Sequence, residues 1–376
     1  MRATVAIEPV SARIALVFVW LTLGAWTSVQ AEPYFAVREG LACVACHVNP
    51  SGGGLRNTFG TTWGQTVLPA QRIEEEGLPM WTGALGDYLR IGGNLRSSAT
   101  HADVPPAGGS DGDATSEFDL EELRLYLDLA VIPGRLAIYF DQRVAPGGST
   151  NLETYVRYAS PDQHWQLKAG QLYLPYGLRL EDDSAFIRQV TGIGFATPDQ
   201  GVELGWESPQ WSAQLAVTNG AAAGAETDEG KQASLTATYL QPSWRVGGSF
   251  NFNDSDAGER RMQGLFAGVR TGPVAWLAEA DYIVDDGFAE GRRRLWVGLV
   301  EGNWSVRRGH NLKLTAEYFD PDTDVDEDEQ NRFSAIWEYT PFQFLQLRLG
   351  ARVYDGIPQN ALQNRRLYFL ALNGYF

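Results

Sequence analysis

The 376-residue chain carries a formal net charge of −16, is 12% aromatic, and contains 41 glycines and 12 tryptophans against three methionines and two cysteines. Richness in glycine and aromatics favours β-structure, and so acidic a balance disfavours a nucleic-acid partner, because gripping a phosphate backbone needs a basic stripe and none is visible. The mean hydropathy of −0.24 is that of a water-soluble protein, an inference that the strand pattern below overturns.

The N-terminus reads as an export signal. Arg2 and Arg13 flank a positive region, Ile14 to Leu23 form an apolar core too short to span a bilayer, and Val29-Gln30-Ala31 supplies small residues for cleavage. On this reading residues 1–31 are a signal peptide and the mature chain begins at Glu32. Loss of Arg2, Arg13 and Glu8 removes one net positive charge and leaves −17. Beyond this segment no stretch approaches the roughly 18 consecutive apolar residues of a transmembrane helix. Any membrane crossing must therefore be made by strands.

Residues 32–82 show no period-2 alternation. They hold both cysteines, a Ser51-Gly52-Gly53-Gly54 breaker and the dense run Glu74-Glu75-Glu76. A loop-and-helix unit of this size cannot bury enough apolar surface to be stable without a staple or a cofactor. Cys43-Val44-Ala45-Cys46-His47 supplies the means, because it is C-x-x-C-H. That spacing lets two thiols on one turn add to the two haem vinyl groups while the adjacent imidazole reaches the iron. A redox disulfide would want a βαβ context, and tetrahedral zinc two further ligands nearby; the sequence offers neither. The expectation is one covalent haem c on Cys43 and Cys46, with His47 as proximal iron ligand. For the distal position Met80 is the candidate within this unit and His164 one outside it, against an open or non-His/Met site. Tyr34, Phe35, Phe59 and Trp63 are candidates to pack on the ring.

From about Ala84 the pattern becomes alternation and stays so to the last residue. Leu123, Leu125, Leu127, Leu129 and Val131 are apolar, with Glu122, Arg124, Tyr126 and Asp128 between them; Leu345 to Val353 repeats the pattern. One face is apolar and the other can meet water. Short connections contain Pro133, Pro161, Pro209, Pro242, Pro273 and Pro341, with another near Trp304. They alternate with longer polar loops near 101–117, 143–151, 175–200, 220–230, 253–260, 285–292, 320–331 and 355–363. Short turns on one side and long loops on the other are the signature of an outer-membrane barrel with periplasmic ends. Trp165, Trp211, Trp244 and Trp276 follow short turns on the apolar face, as an interfacial girdle would. His101 falls in a predicted external loop and His310 near a periplasmic turn. In the loop 175–200, Phe186, Ile187, Val190, Ile193 and Phe195 are too apolar for solvent and predict an inward fold. Asp320 to Glu329 places seven carboxylates in an external loop, read as a solvated acidic surface that could concentrate cations.

With Cys43 to His47 just inside the mature N-terminus and about sixteen strands running to the terminal Phe376, the sequence resembles the fused monohaem cytochrome-porins of bacterial outer membranes. The likeness covers the whole mature chain. Gly170-Gln171-Leu172-Tyr173-Leu174-Pro175-Tyr176-Gly177 is also similar to the strand-to-loop segment of phosphate-type porins. The resemblance implies electron transfer between an extracellular donor such as Fe(II) and a periplasmic c-type cytochrome, with outer-membrane lipid around the wall. It assigns the haem thioethers to Cys43 and Cys46 and the iron to His47.

The expected fold is thus mostly β: a signal peptide at 1–31, a monohaem unit at 32–82 and an antiparallel transmembrane β-barrel of about sixteen strands at 83–376. An apolar band of about 25 Å is taller than one haem can bridge, which favours the haem unit inside the lumen as a plug. The competing reading is a diffusion porin for small solutes or anions, its haem unit hanging in the periplasm in a structural or sensing role.

Overall fold

The computed structural model describes residues 32–74, 79–106, 112–222 and 224–376. The expected signal peptide lies outside the described residues, as do Glu75 and Glu76 of the acidic run.

Alternation becomes strand wherever it was read. A two-residue strand, β1 (Ala84–Leu85), folds back on the start of β2 (Leu89–Val104). It is followed by β3 (Asp113–Ile132), β4 (Leu136–Ala145), β5 (Thr150–Ala159), β6 (Trp165–Tyr173), β7 (Pro198–Glu207), β8 (Trp211–Thr218) and β9 (Gln232–Leu240). The second half comprises β10 (Trp244–Ser255), β11 (Gly258–Thr271), β12 (Val274–Asp285), β13 (Arg293–Arg307), β14 (His310–Asp320), β15 (Gln330–Tyr339), β16 (Leu345–Asp355) and β17 (Arg366–Tyr375). From β2 on, each strand pairs antiparallel with the next, and β17 pairs with β2 from Arg366↔Asp103 to Tyr375↔Asn94. The result is a closed barrel of 16 strands with no free edge.

The wall is inverted relative to a soluble protein. Leu265 is 72% exposed and Phe333 54%, whereas Arg124 is 2% and Asp141 0% exposed. Apolar side chains point outward and charges inward, an arrangement that costs free energy in water and gains it in lipid. Trp165, Trp211, Trp244 and Trp276 are all exposed on the outer face, and Trp304 and Trp337 continue their row. Trp296 lies toward the other end, 5.2 Å from the Tyr282 ring. These two aromatic levels are the interfacial belts of a bilayer-spanning barrel. The wall places the chain in a bacterial outer membrane.

Short and long connections alternate as expected, with three corrections. The connection expected at 253–260 is a tight turn, because Ser255 pairs directly with Gly258. The strands β10 and β11 carry their polar residues beyond the apolar band rather than ending at it. The first hairpin likewise extends into the expected loop, so His101 belongs to β2, where it pairs with Ser116 and its Nδ1 lies 2.8 Å from Ser116 Oγ. Trp304 is in β13, and the turn that follows is at 308–309.

Two segments occupy the bore. The connection between β6 and β7 folds inward around a short helix, here α3 (Phe186–Thr191). Its backbone donates from Gly177 to Ser249, from Leu178 to Glu279 and from Phe186 to Glu317, and Asp182 pairs with Arg332 and Arg352, both at 2.9 Å. Residues 32–74 form α1 (Pro33–Glu39), a 3-10 turn (Cys43–Ala45) and α2 (Thr58–Thr66). Their contacts lie around the inner wall. Glu32 accepts from Lys313 at 2.7 Å, Tyr34 donates to Glu338 at 2.8 Å, Asn49 accepts from Lys168 at 2.9 Å, and Leu55 N–H donates to Tyr139 at 3.1 Å. Strands β4 and β6 on one side and β14 and β15 on the other thus hold one segment between them.

Candidate functional site

Local backbone chemistry builds the turn that carries the cysteines. Pro33 starts α1 and Gly40 ends it at φ 68°, with the Leu41 N–H returning to the Ala36 carbonyl. A Cβ at Gly40 would stand 2.6 Å from the Pro242 carbonyl oxygen, so the helix end is docked on the β9–β10 turn as well as left-handed. In the next turn the N–H groups of Cys46 and His47 both donate to the Cys43 carbonyl, at 3.1 and 3.0 Å. Asn57 then ties this turn to α2: its Oδ1 caps the Gly60 N–H at 2.9 Å and its amide donates to the carbonyls of Val44 and Ala45, both at 3.0 Å. Gly52, Gly53 and Gly54, at φ 86°, 80° and 61°, bring the chain back beside His47. The breaker in the sequence is the floor of the site.

Cys43, Cys46 and His47 open into one cavity with about 1180 Å³ of empty space, part of it continuous with solvent. Phe35, Trp63 and Leu68 line it from the N-terminal segment, Tyr176 to Arg179 from the inward loop, and Gln214, Thr238, Arg245 and Phe266 from the wall. The Phe35 and Trp63 rings pack edge to face at 5.2 Å. Phe59 is exposed, and Tyr34 is buried with its hydroxyl committed to Glu338; neither lines the cavity. Met80 is half-buried away from the cavity lining. His164 stays exposed beside its turn, its Nδ1 2.6 Å from the Glu207 carbonyl oxygen, and His310 stacks on Trp337 and Tyr339.

His47 is the unusual residue. Only 4% of it is exposed, and among the described residues neither Nδ1 nor Nε2 meets a partner in good hydrogen-bond geometry, the nearest polar groups being the backbone of Gly53 and Gly54. Burial, with Arg56 nearby, pushes its pKa down to about 3, although the backbone at Gly53 and Gly54 opposes this; the imidazole is neutral. Burial pushes the Cys43 thiol up and the Cys46 thiol up to about 11, so both are protonated at neutral pH. A buried imidazole with two orphaned nitrogens is costly unless something coordinates it. These donors fit a covalent haem: two thiols one turn apart, an unpartnered imidazole beside them, and aromatic walls. They do not fit zinc, since among the described residues no group of three or more His, Cys, Asp or Glu side chains is arranged to hold a metal ion.

No family model matches the chain, and no curated protein matches it in sequence. Solved structures do match in fold. OmpT of Vibrio cholerae superimposes at a TM-score of 0.56 and 11% identity, over 77% of this chain and 97% of that one. An anion-selective porin from Comamonas acidovorans gives 0.59 and 9%, over 77% and 99%, and the outer-membrane channel DcaP of Acinetobacter baumannii 0.55 and 14%, over 77% and 97%. The likeness is to a porin-type barrel.

Residue types alone did not point to Arg56, Asn57, Arg179, Arg245 or Phe266. Asn57 had the signal of a helix N-cap ahead of α2. The other four come from distant parts of the chain, and only closure of the barrel brings them together.

Proposed function

We propose that the chain is an outer-membrane electron conduit that carries a single haem c inside a porin-type barrel. The observation that supports this most is His47, buried with neither ring nitrogen in a well-formed hydrogen bond among the described residues, and opening with Cys43 and Cys46 into one aromatic cavity within the bore. Cys43 and Cys46 would hold the porphyrin edge and His47 the iron, and the bound group would supply one-electron Fe(III)/Fe(II) chemistry. Asn57 holds the cysteine turn on α2, Gly52 to Gly54 leave room beside the imidazole, and Phe35 and Trp63 keep water from the ring, which tunes the potential. The direction consistent with the resemblance is one electron from an extracellular reductant such as Fe(II), which leaves as Fe(III), to a periplasmic c-type cytochrome. In that version the protein is an Fe(II) oxidase. Met80 lies away from the cavity, so an open distal site, or one closed by another residue, fits better than a His/Met pair.

A second reading, a diffusion channel, is favoured by the porin-type fold. Two measurements separate them. Purified protein from a host with cytochrome maturation should stain for covalent haem on a denaturing gel, and Cys43→Ser with Cys46→Ser should abolish the stain. Intact protein should conduct poorly across a planar bilayer. An unstained protein forming large stable pores would leave only the channel.

A further inference from the structure

The lumen is crowded with arginines, and most of those deeply buried in it are paired. Arg124 lies 3.1 Å from Asp141, Arg188 2.8 Å from Asp183, Arg348 3.1 Å from Glu32, and Arg96 2.9 Å from Asp183. Arg332 contacts both Asp182 and Glu317. The three arginines that line the cysteine cavity are different. Among the described residues, Arg56, Arg179 and Arg245 have no carboxylate within ion-pair distance. Arg245 donates through Nη2 to the carbonyls of Ala36 and Leu41, at 2.6 and 2.8 Å, and Arg179 through Nη2 to those of Tyr173 and Leu174, at 3.5 and 2.7 Å. Both keep their remaining N–H groups. Among the described residues the Arg56 side chain has no hydrogen-bond acceptor, only the Tyr375 ring 4.8 Å from its guanidinium carbon. The cavity's own carboxylates are already engaged, Glu32 by Lys313 and Arg348 and Glu39 by Arg38.

Three guanidiniums around one enclosed space with no countercharge is an unfavourable arrangement by itself, because an unpaired buried charge costs several kcal/mol. A haem brings two carboxylates on the ring edge away from its thioethers. Resting on the haem reading above, we infer that Arg56, Arg179 and Arg245 form the anion site of this cavity and receive the two propionates of the haem held by Cys43, Cys46 and His47. Guanidinium is suited to this, since its planar fork matches a carboxylate and does not lose its proton. Arg56 has the greatest need of such a partner, having no acceptor or carboxylate among the described residues. The arginines then set the potential as well as the pose: a cation at each propionate offsets negative charge that would otherwise favour Fe(III).

The test uses the full-length, haem-loaded protein in detergent. Arg56→Gln, Arg179→Gln, Arg245→Gln and Arg56→Lys are each titrated spectroelectrochemically between pH 5 and 8, with haem content measured in parallel. Arg56→Gln should keep its covalent haem and shift the Fe(III)/Fe(II) ratio about tenfold toward Fe(III) at a fixed ambient potential, a lowering of about 59 mV for one electron. Its potential should also fall as pH rises, because burial lifts a propionate that has lost its guanidinium from the ordinary carboxylate range into the measured one. Arg56→Lys should recover most of the loss, and Arg179→Gln or Arg245→Gln should lower the potential in the same direction. Haem-loaded Gln variants with the parent potential at every pH would overturn the propionate assignment and leave the haem reading standing. Parent protein without covalent haem would overturn both.

Discussion

A methyl group at Gly60 would collide with the Cys46 carbonyl oxygen and stand 2.9 Å from Cys46 Cα, so α2 approaches the cysteine turn as closely as two backbones can. In an open helix Gly→Ala is favourable by about 1 kcal/mol. Here the added atom meets backbone, which cannot rotate away, and overpacking of this kind costs about 1–3 kcal/mol. The second effect wins, and Gly60→Ala should loosen residues 32–74 from the barrel while the strands stay folded. Limited proteolysis checks this: the variant should be cut within the N-terminal segment at a protease level that spares the parent, and equal resistance would mean that α2 can shift at little cost. The same scale shows what could be read early. That Cys43, Cys46 and His47 share one cavity was legible because they lie within five residues of one another in C-x-x-C-H. The grouping of Arg56, Arg179 and Arg245 was not, since they come from the N-terminal segment, an inward loop and β10, and their shared property, no paired carboxylate among the described residues, exists only once the barrel has closed.

The loop between β6 and β7 is fixed by ion pairs rather than by its helix. Asp182 bridges Arg332 and Arg352, Asp183 bridges Arg96 and Arg188, and Glu181 lies 3.3 Å from Arg348, so the segment is fastened to β2, β15 and β16 at once. Phe186 and Ile187 add an apolar contact with Leu277, Val297 and Leu299. Asp183 is half exposed and contributes less, but removing one partner of a buried pair costs about 3–5 kcal/mol, so the pairs of Glu181 and Asp182 will hold the loop across the bore without the N-terminal segment. Deleting residues 32–82 should therefore yield only a narrow channel. Replacing residues 181–193 by a short Gly-Ser linker in addition should raise single-channel conductance several-fold; equal conductance of the two deletions would show that the loop swings away once its neighbour is gone. The inward fold was legible in Phe186, Ile187 and Phe195, because apolar residues in a polar connection need cover. The hairpin at 253–260 was misread for the complementary reason. Outside the apolar band a strand has no need of outward hydrophobics, so the alternation fades before the hydrogen bonding does.

For the molecule as a whole, the lengths of the connections give an orientation, short turns toward the periplasm and long loops outward. The loop between β14 and β15 is the most acidic part of the outer end. Not all of its charge is free, since Asp324 pairs with Arg294 at 2.8 Å and Asp322 approaches Arg293 at 4.0 Å. Asp326, Glu327 and Glu329 are exposed and have no arginine partner among the described residues. Such charges raise the local concentration and arrival rate of cations, an effect that fades with ionic strength because the Debye length is about 8 Å at 0.15 M. If the external reductant is Fe2+, neutralising Asp326, Glu327 and Glu329 to Asn and Gln should slow its reduction of the haem at low salt. Reduction by a neutral small molecule should be nearly unchanged, and the difference should vanish at high salt. Neutralising Asp322 and Asp324 instead should do less, because each already faces a guanidinium. Stopped-flow reduction of the haem-loaded protein reads all of these rates. Equal slowing of the neutral reductant would point to a distorted loop rather than a weakened field. A wild-type haem that Fe2+ cannot reduce at any salt would remove iron as the donor and leave the proposed conduit to some other reductant.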